Sequence, residues 1–364
     1  MAKHAELPDL TILYEHPDWF RPLFTELERR ALPFERVRVD GHHFDPADVS
    51  KHGGLVFNRM SPSAWQRGRG SAIAYTTELL AHLEERGARV LNGLAAWRTE
   101  VSKAAQLTLL RRLGLPHPRA AVIHDAIGAA EAAAAAGLRF PVVTKPNIGG
   151  SGAGVRRYDT PEQLAEAAAR DDVPLGLGGT GLVQEFIPAR GEHIVRVEVL
   201  DGRYLYAIAV YAPPGTFDLC PADACLGTDG TELERAACPV DAPRNGVRVE
   251  AAHPPDTVKR QVEAIARAAG IEVGGVEYII DDRDGQLYYY DINALSNFVA
   301  DAPRVIGFDP FERLVDWIER ELAALASGAA RARRRQDGAA APKIAVAPSK
   351  TAPTATKAAA GRAS

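Results

Sequence analysis

The sequence predicts a multidomain α/β protein, and three observations favour this class. Strand-like and helix-like patterns alternate over residues 10–57, which is typical of a parallel sheet with covering helices. Residues 118–187 follow the order strand, helix, strand, strand, helix, strand, and residues 275–293 form two strand patterns around a tight turn. A chain of 364 residues is also too long for one ordinary core, so we expect two or three domains.

The amino-terminal pattern predicts a small parallel unit. Residues 10–14, 34–39 and 54–57 have the apolar character of strands, and residues 19–30 have helical spacing. Ligands of open α/β sheets bind beyond the carboxyl ends of the strands. Arg59 follows the third strand and is therefore a candidate for binding an anionic group. An arginine that caps a helix or pairs with an acid is the alternative.

The next helix is predicted over residues 98–113, with Gly114 as its stop signal. Lys103 falls near the first turn of this helix. The helix dipole disfavours a cation there unless an anion binds at the same end. Lys103 is thus a candidate for an anion site, with an ordinary surface lysine as the alternative.

The stretch at residues 140–155 is rich in glycine and predicts a phosphate site. A short apolar strand delivers Lys145 to a loop that contains Gly149, Gly150, Ser151 and Gly152. The ammonium group supplies charge, and bare backbone N–H groups supply a concave donor surface. A Walker-type loop would place its lysine after the glycines, and a dinucleotide loop would be followed by a helix, so neither interpretation fits. A flexible hairpin turn is the alternative.

The strand that ends at Pro188 offers an edge on which a base could bind. Glu185 could accept a hydrogen bond from the exocyclic amine of an adenine, and Glu192 could accept from two ribose hydroxyls. A plain junction between strand and loop is the alternative. Arg196 lies in the next predicted strand, where a charged residue is usually solvated.

The strand–turn–strand pattern at residues 275–293 brings polar side chains together. Counting outward from the turn at Asp284 and Gly285 places Glu277 near Asp291, with Asn293 on the same face as Asp291. Two carboxylates and an amide oxygen that converge repel one another unless a cation joins them, and hard oxygen ligands suit Mg²⁺. An acidic hairpin that faces solvent is the alternative, although its apolar flanks favour burial.

Composition restricts the remaining classes. The chain holds three cysteines, whose irregular spacing at positions 220, 225 and 238 favours free thiols in a reducing compartment over a metal site. No segment resembles a secretion signal or a membrane span, so we expect a cytoplasmic protein without membrane contact. Residues 328–364 hold eight Lys or Arg and one Asp, which predicts a disordered basic tail that could contact nucleic acid or an acidic protein.

Taken in order, these motifs resemble the ATP-grasp enzymes, and in particular the RimK-like glutamate ligases and their glutathione-synthetase relatives. The resemblance covers about residues 55–322 and includes the polar turn from Asn58 to Ser63. It implies an ATP-grasp fold with an N-terminal Rossmann-like α/β domain, a small lid domain and a larger antiparallel-sheet domain. The expected boundaries are 1–97 for the first domain, 98–115 for a connecting helix, 116–187 for the lid, 188–327 for the large domain and 328–364 for the tail.

The resemblance also implies roles for the motif residues. ATP and Mg²⁺, with Mn²⁺ as an alternative metal, would bind between the lid and the large domain. The implied phosphate contacts are Lys103, Lys145, Gly149, Gly150, Ser151 and Gly152. The implied nucleoside contacts are Gln184, Glu185, Phe186 and Ile187 for adenine and Glu192 for ribose. The implied metal ligands are Glu277, Asp291 and Asn293, and the implied catalytic residues, which meet the carboxylate and the developing phosphate charge, are Arg59 and Arg196.

The activity implied by the family is ATP-dependent joining of a carboxylate to an amine through an acylphosphate. The carboxylate would be a small molecule or a peptide, and the amine could be an amino acid. The sequence departs from the family at Asp291, where a glutamate is usual, and at residues 213–229, which hold no basic residue. An ATP-binding protein without ligase turnover and an ATP-grasp kinase are therefore the alternatives, and a homo-oligomer is left open.

Overall fold

The computed structural model describes residues 10–16, 18–48, 54–150, 152–211 and 248–327. The basic tail, the three cysteines, Ser151 and residues 213–229 lie outside the described residues. The described residues form three β-sheets with helices packed against them. None of the helices in these ranges is both long enough and apolar enough to cross a membrane.

The first sheet is parallel, as the sequence predicts, with the strand order β2-β1-β3-β4. Its strands are β1 (Leu10–Tyr14), β2 (Glu35–Arg38), β3 (Leu55–Arg59) and β4 (Arg89–Leu91). Two helices connect these strands, α1 (Arg21–Arg29) and α2 (Ser71–Glu85). Because all four strands run the same way, the residues that follow β1 and β3 meet at one edge of the sheet.

The connection to the next unit consists of two helices, α3 (Leu94–Glu100) and α4 (Lys103–Arg112). The prediction of a single helix over residues 98–113 is therefore wrong. Ser102 has an extended backbone (φ −149°, ψ 102°), and its hydroxyl accepts a hydrogen bond from the N–H of Ala105. This N-cap starts a new helix at Lys103. Helix α3 also runs across residue 97, where the sequence analysis places a domain boundary.

The second sheet has the order β5-β8-β6-β7 and lies within the range 116–187. Its elements are β5 (Ala120–Ile123), α5 (Ala129–Ala135), β6 (Val142–Pro146), β7 (Arg156–Tyr158), α6 (Pro161–Ala169) and β8 (Gly181–Glu185). Thr160 caps α6 by accepting from the N–H of Gln163, with Pro161 at the first position. We refer to this unit as the lid.

The third sheet is antiparallel and has the order β11-β10-β9-β12-β13. Its elements are β9 (His193–Leu200), β10 (Arg203–Tyr211), β11 (Val249–Ala252), α7 (Asp256–Ala269), β12 (Val273–Ile280) and β13 (Leu287–Asn293). Two further helices follow, α8 (Ala302–Ile306) and α9 (Pro310–Ala326).

The first and third sheets share one apolar core. Helix α9 inserts Trp317 and Ile318 into this core, where Leu10 and Ile12 of β1 and Ile208 of β10 are also buried. Burial of large apolar side chains is the main favourable contribution to folding. The first unit and the large sheet therefore form one continuous body, whereas the lid has a separate core of its own.

Asn92 joins the two parts of this body. Its side-chain amide donates to the carbonyls of Val273 and Ala294, at 2.6 Å in each case, and its side-chain oxygen accepts from the N–H groups of Glu272 and Val273 at 2.9 and 3.1 Å. Asn92 is 1% exposed and has a left-handed backbone with φ +50°. Asparagine tolerates this conformation better than most residues do.

Replacing Asn92 should test how strongly this joint stabilises the fold. We expect Asn92→Ala to lower the free energy of unfolding by about 3–5 kcal/mol, because four hydrogen bonds are lost and buried backbone groups are left without partners. Urea unfolding measures the loss. Asn92→Gly removes the same hydrogen bonds, but glycine adopts the left-handed backbone without strain. Its loss in free energy of unfolding should therefore be only about 1 kcal/mol smaller than that of Asn92→Ala. A near-native Asn92→Gly protein would contradict the assignment of stability to the hydrogen bonds.

Candidate active site

A cleft of about 250 Å³ lies between the lid, the large sheet and the edge of the first sheet. Of the residues predicted to form the site, the following line it: Lys103, Lys145, Gly149, Gly150, Gly152, Gln184, Glu185, Phe186, Ile187, Arg196, Glu277, Asp291 and Asn293. Arg59 and Glu192 do not line the cleft. The fold thus brings residues from distant parts of the sequence to one place.

Lys145 projects from β6 and is 7% exposed. Within the described part of the chain, no side chain or backbone group forms a hydrogen bond or an ion pair with its ammonium group. Burial, together with the neighbouring charge of Lys103, lowers the pKa of Lys145 to about 7. An anion bound in the cleft would stabilise the charged form of this lysine.

Lys103 has a partner, because its ammonium group contacts Asp291. Burial alone would lower the pKa of Lys103, but the carboxylate of Asp291 outweighs this effect and raises it. Likewise, burial would raise the pKa of Asp291, but Lys103 and Lys145 hold it below its usual value. The amide of Asn293 donates to the second oxygen of Asp291 at 3.3 Å.

The amino-terminal end of α4 is closed to anions. The N–H of Lys103 donates to the carbonyl of Asn147 at 3.1 Å, the N–H of Ala104 donates to the side-chain oxygen of Asn147 at 2.9 Å, and Ser102 caps Ala105. The first three N–H groups of the helix therefore have acceptors within the protein. The hypothesis that an anion binds at this helix end is wrong, although the side chain of Lys103 does reach the cleft.

Arg196 lies between two buried carboxylates. Its Nε donates to Glu198 at 2.6 Å and its Nη1 donates to Glu277 at 2.9 Å. Tyr290 donates to the other oxygen of Glu277 at 2.6 Å. Burial raises the pKa of Glu277 and Arg196 opposes this effect. The prediction of a solvated strand residue is wrong for Arg196, which is 3% exposed.

The hairpin brings Glu277 near Asp291, as the sequence predicts, but its register shifts between Glu277 and Tyr278. Glu277 on β12 pairs directly with Asp291 on β13, and Gly275 pairs with Asn293. A cation in this place would have two carboxylates and one amide oxygen from the protein. In the described ranges, no group of three or more His, Cys, Asp or Glu side chains is placed to hold a metal ion.

The glycine loop packs against the first unit. Gln66 donates to the carbonyl of Gly150 at 2.9 Å, and a Cβ at position 150 would lie 3.0 Å from the Cβ of Ser63. Gly152 has φ +71°, a conformation that favours glycine. The loop can approach Ser63 closely only because position 150 carries no side chain.

The residues predicted to bind adenine and ribose differ in their hydrogen-bond partners and in their exposure. The carboxylate of Glu185 accepts from the N–H of Arg139 at 3.0 Å and from its guanidinium at 3.2 Å. Glu185 is therefore already engaged within the lid. By contrast, no described residue shares a backbone hydrogen bond with Ile187, which is 5% exposed and lines the cleft. Glu192 is exposed in a loop outside the cleft.

Arg59 is buried beneath the cleft. It is 2% exposed, donates to the carbonyl of Ser296 and to the side chain of Asn297, and lies over the rings of Phe20 and Phe57. Its Nε and Nη1 have no hydrogen-bond partner in the part of the chain that the structure describes. Burial lowers the pKa of Arg59 to about 9. The expectation that Arg59 reaches a ligand directly is not met in this arrangement.

The cleft-lining residues that the sequence analysis missed include Trp19 and Glu100. Trp19 stacks on His16 with ring centroids 4.2 Å apart and forms part of the wall from the first unit. Glu100, the last residue of α3, lines the cleft, and burial raises its pKa to about 7. Neither residue belongs to a recognisable motif. For Glu198 a signal existed, because residues two apart on a strand share a face and Arg196 precedes it by two.

The comparison with known families agrees with this geometry. Residues 101–219 match the model of the RimK-like ATP-grasp domain. This part of the chain, about a third of its length, is therefore similar to that domain.

Two D-alanine–D-alanine ligases resemble part of this chain. The D-alanine–D-alanine ligase of Ectopseudomonas mendocina (strain ymp) is 29% identical over 232 residues, which cover 62% of this chain and 66% of that protein. The match thus spans slightly less than two thirds of that relative.

Two solved structures share the fold. The ATP-grasp ligase PsnB, complexed with a phosphomimetic variant of its minimal precursor, Mg and ADP, has a TM-score of 0.59 at 20% identity and covers 88% of this chain and 99% of its own. The D-cycloserine synthetase DcsG has a TM-score of 0.60 at 18% identity and covers 86% of this chain and 99% of its own.

Gly275 should control the position of Arg196 in this ATP-grasp cleft. A Cβ at position 275 would lie 2.7 Å from both Nε and Nη2 of Arg196. We expect Gly275→Ala to displace the guanidinium and to lower the free energy of unfolding by about 3–5 kcal/mol, because Glu198 and Glu277 lose their counter-charge.

Urea unfolding measures this loss, with Gly41→Ala as the matched control because a Cβ there meets no atom within 4 Å. Equal stability of the two variants would show that Arg196 can move without cost.

Proposed function

We propose that the chain is an ATP- and Mg²⁺-dependent carboxylate–amine ligase that forms an amide through an acylphosphate. The observation that carries this proposal is the convergence of Lys103, Lys145, Glu277, Asp291 and Asn293 on one cleft of an ATP-grasp fold. Cations for a triphosphate and oxygen ligands for a metal are the groups that phosphoryl transfer requires.

The two lysines are the proposed phosphate contacts. Lys145 is buried and forms no direct ion pair or hydrogen bond among the described residues, so a phosphate oxygen would supply a direct partner. Lys103 already neutralises Asp291, and a metal at Asp291 would release Lys103 toward the phosphates. The glycine loop, with Gly149, Gly150 and Gly152, would cover the triphosphate.

Glu277, Asp291 and Asn293 are the proposed metal ligands, and their chemistry fits Mg²⁺. Magnesium is usually bound by one or two carboxylates together with substrate phosphates, so a site with two carboxylates and an amide is sufficient. Carboxylate oxygens also suit Mn²⁺. The metal would neutralise phosphate charge, while Arg196 and Tyr290 keep the carboxylate of Glu277 in one orientation.

The edge of the lid at Phe186 and Ile187 is the proposed adenine site. The backbone of Ile187 is available to a base, and Gln184 lines the same wall. We propose that Glu185 orients this edge through Arg139 rather than binding adenine with its carboxylate. Glu192 would need to move from its exposed loop to reach a ribose.

In the proposed reaction, a carboxylate oxygen attacks the γ-phosphorus of ATP, and ADP leaves. The resulting acylphosphate is attacked at its carbonyl by an amine, and phosphate and a proton leave as the amide forms. The chain contributes positioning and charge neutralisation. Arg196 would act mainly by holding Glu277, and Arg59 would supply positive charge from beneath the cleft. The related ligases act on D-alanine or a precursor peptide, which supports an amino acid or peptide substrate.

Phosphate release from Mg-ATP tests the proposal. Purified protein should release phosphate with one pairing from a panel of amino acids, D-alanine and candidate acids, and mass spectrometry should find the amide. We expect Lys145→Ala to reduce the rate by about 100-fold or more, because a charge that stabilises the transition state is lost.

Lys259→Ala is the matched control, since Lys259 pairs with Asp256 on α7. ATP binding without an amide under any pairing would favour a binding protein without turnover, and a stable phosphorylated acid would favour a kinase.

Nucleotide binding should also take up a proton. The pKa of Lys145 is about 7 in the free protein, so this lysine is mostly neutral at pH 8. A bound triphosphate favours the charged form and raises the pKa, so we expect uptake of about one proton at pH 8 and much less at pH 6.

Calorimetry in two buffers that differ in ionisation enthalpy measures this uptake. The Lys145→Arg protein should bind the nucleotide without this proton uptake, because arginine is charged at both pH values. Identical uptake by both proteins would exclude Lys145 as the source.

A further inference from the structure

Glu100 is a buried carboxylate in the cleft with one oxygen unused. It is 7% exposed and lines the cleft from the end of α3. One oxygen accepts from the backbone N–H of Ala294. Within the described ranges, no other group donates to Glu100, and it forms no salt bridge there. Burial of a carboxylate that forms no direct ion pair is costly, so a bound cation that donates to Glu100 would be favourable.

In the described ranges, none of the three cations near Glu100 donates to it, although Nε and Nη1 of Arg59 have no partner there. Lys103 contacts Asp291, Arg196 donates to Glu198 and Glu277, and Arg59 donates to the loop that follows β13. A protein that used Glu100 only for structure would direct one of these groups to it. Glu100 instead lines the cleft.

The ligand that best fits Glu100 is an ammonium group. A metal ion bound at Glu100 alone, apart from the proposed ligands Glu277, Asp291 and Asn293, would have a single protein carboxylate. An ammonium group carries one charge and donates up to three hydrogen bonds, so one carboxylate oxygen is an adequate partner.

We propose that Glu100 binds the ammonium group of the amine substrate and so selects a cationic amine for the ligase. This inference rests on the proposed function for the identity of the ligand. It assigns Glu100 a part in recognition and none in holding nucleotide or metal. Two residues of the cleft lining with opposite charges would then recognise the two substrates. Lys145 would contact the phosphates of ATP, and Glu100 would contact the ammonium group of the amine.

A pair of small probes tests the site without turnover. Ethanolamine and ethylene glycol have nearly the same shape and differ in the ammonium group. With Mg²⁺ and a non-hydrolysable ATP analogue present, ligand-observed NMR should detect ethanolamine bound to the wild type more tightly than ethylene glycol. Glu100→Gln should weaken ethanolamine binding by about 10- to 100-fold, as expected for a charge-assisted hydrogen bond.

The control variant is Glu263→Gln. Glu263 also accepts a backbone N–H, that of Tyr204 at 3.0 Å, but lies outside the cleft. The Glu263→Gln protein should bind ethanolamine as tightly as the wild type does. Equal binding of the two probes to the wild type, or unchanged ethanolamine binding by Glu100→Gln, would overturn the assignment whether or not the protein is a ligase.

Kinetics distinguishes recognition from a structural role. With the amine identified by the phosphate-release panel, Glu100→Gln should raise the KM for that amine by about 10- to 100-fold and leave the KM for ATP and the Mg²⁺ dependence unchanged. A weaker Mg²⁺ dependence with an unchanged amine KM would instead assign Glu100 to the metal. If no amine supports turnover, the proposed function fails, and the ethanolamine measurement still decides the role of Glu100.

Discussion

The buried guanidinium of Arg196 is the interaction on which the rest of the cleft depends. Glu198 and Glu277 lie on neighbouring strands and would repel each other in a region with little water. Arg196 joins them, and a buried ion pair is costly to break because each partner would be left uncompensated. The bare backbone of Gly275 gives the guanidinium its space. The orientation of Glu277, and with it the proposed metal site, follows from this arrangement.

Much of the fold and part of the site could be predicted from the sequence because their signals are local. The turn at Asp284 and Gly285 brings Glu277 near Asp291, and a register shift between Glu277 and Tyr278 then pairs the two residues directly. The position of Lys145 before the glycine loop is likewise a local property. The cap of α6 at Thr160 is also local, since it involves only Pro161 and Gln163 beside it.

The features that could not be predicted depend on contacts between distant segments. The break between α3 and α4 is fixed partly by Asn147, more than 40 positions away, which accepts from the first N–H groups of α4. Glu185 is engaged by Arg139 only because the lid folds back on itself. Arg59 is buried by the loop that follows β13. The positions of these residues in the sequence do not indicate these long-range contacts.

Asn92 has a consequence for how this sequence can diverge. Its site demands a left-handed backbone together with two donors and two acceptor contacts, and the common replacements each fail one demand. Glycine has no side-chain amide, the side chain of aspartate has no donor, and larger residues disfavour the left-handed backbone conformation. The first sheet and the large sheet can therefore drift in sequence on either side of this position, but the residue that joins them is nearly restricted to one amino acid. A descendant of this chain that loses Asn92 would have to rebuild the joint with a different set of residues.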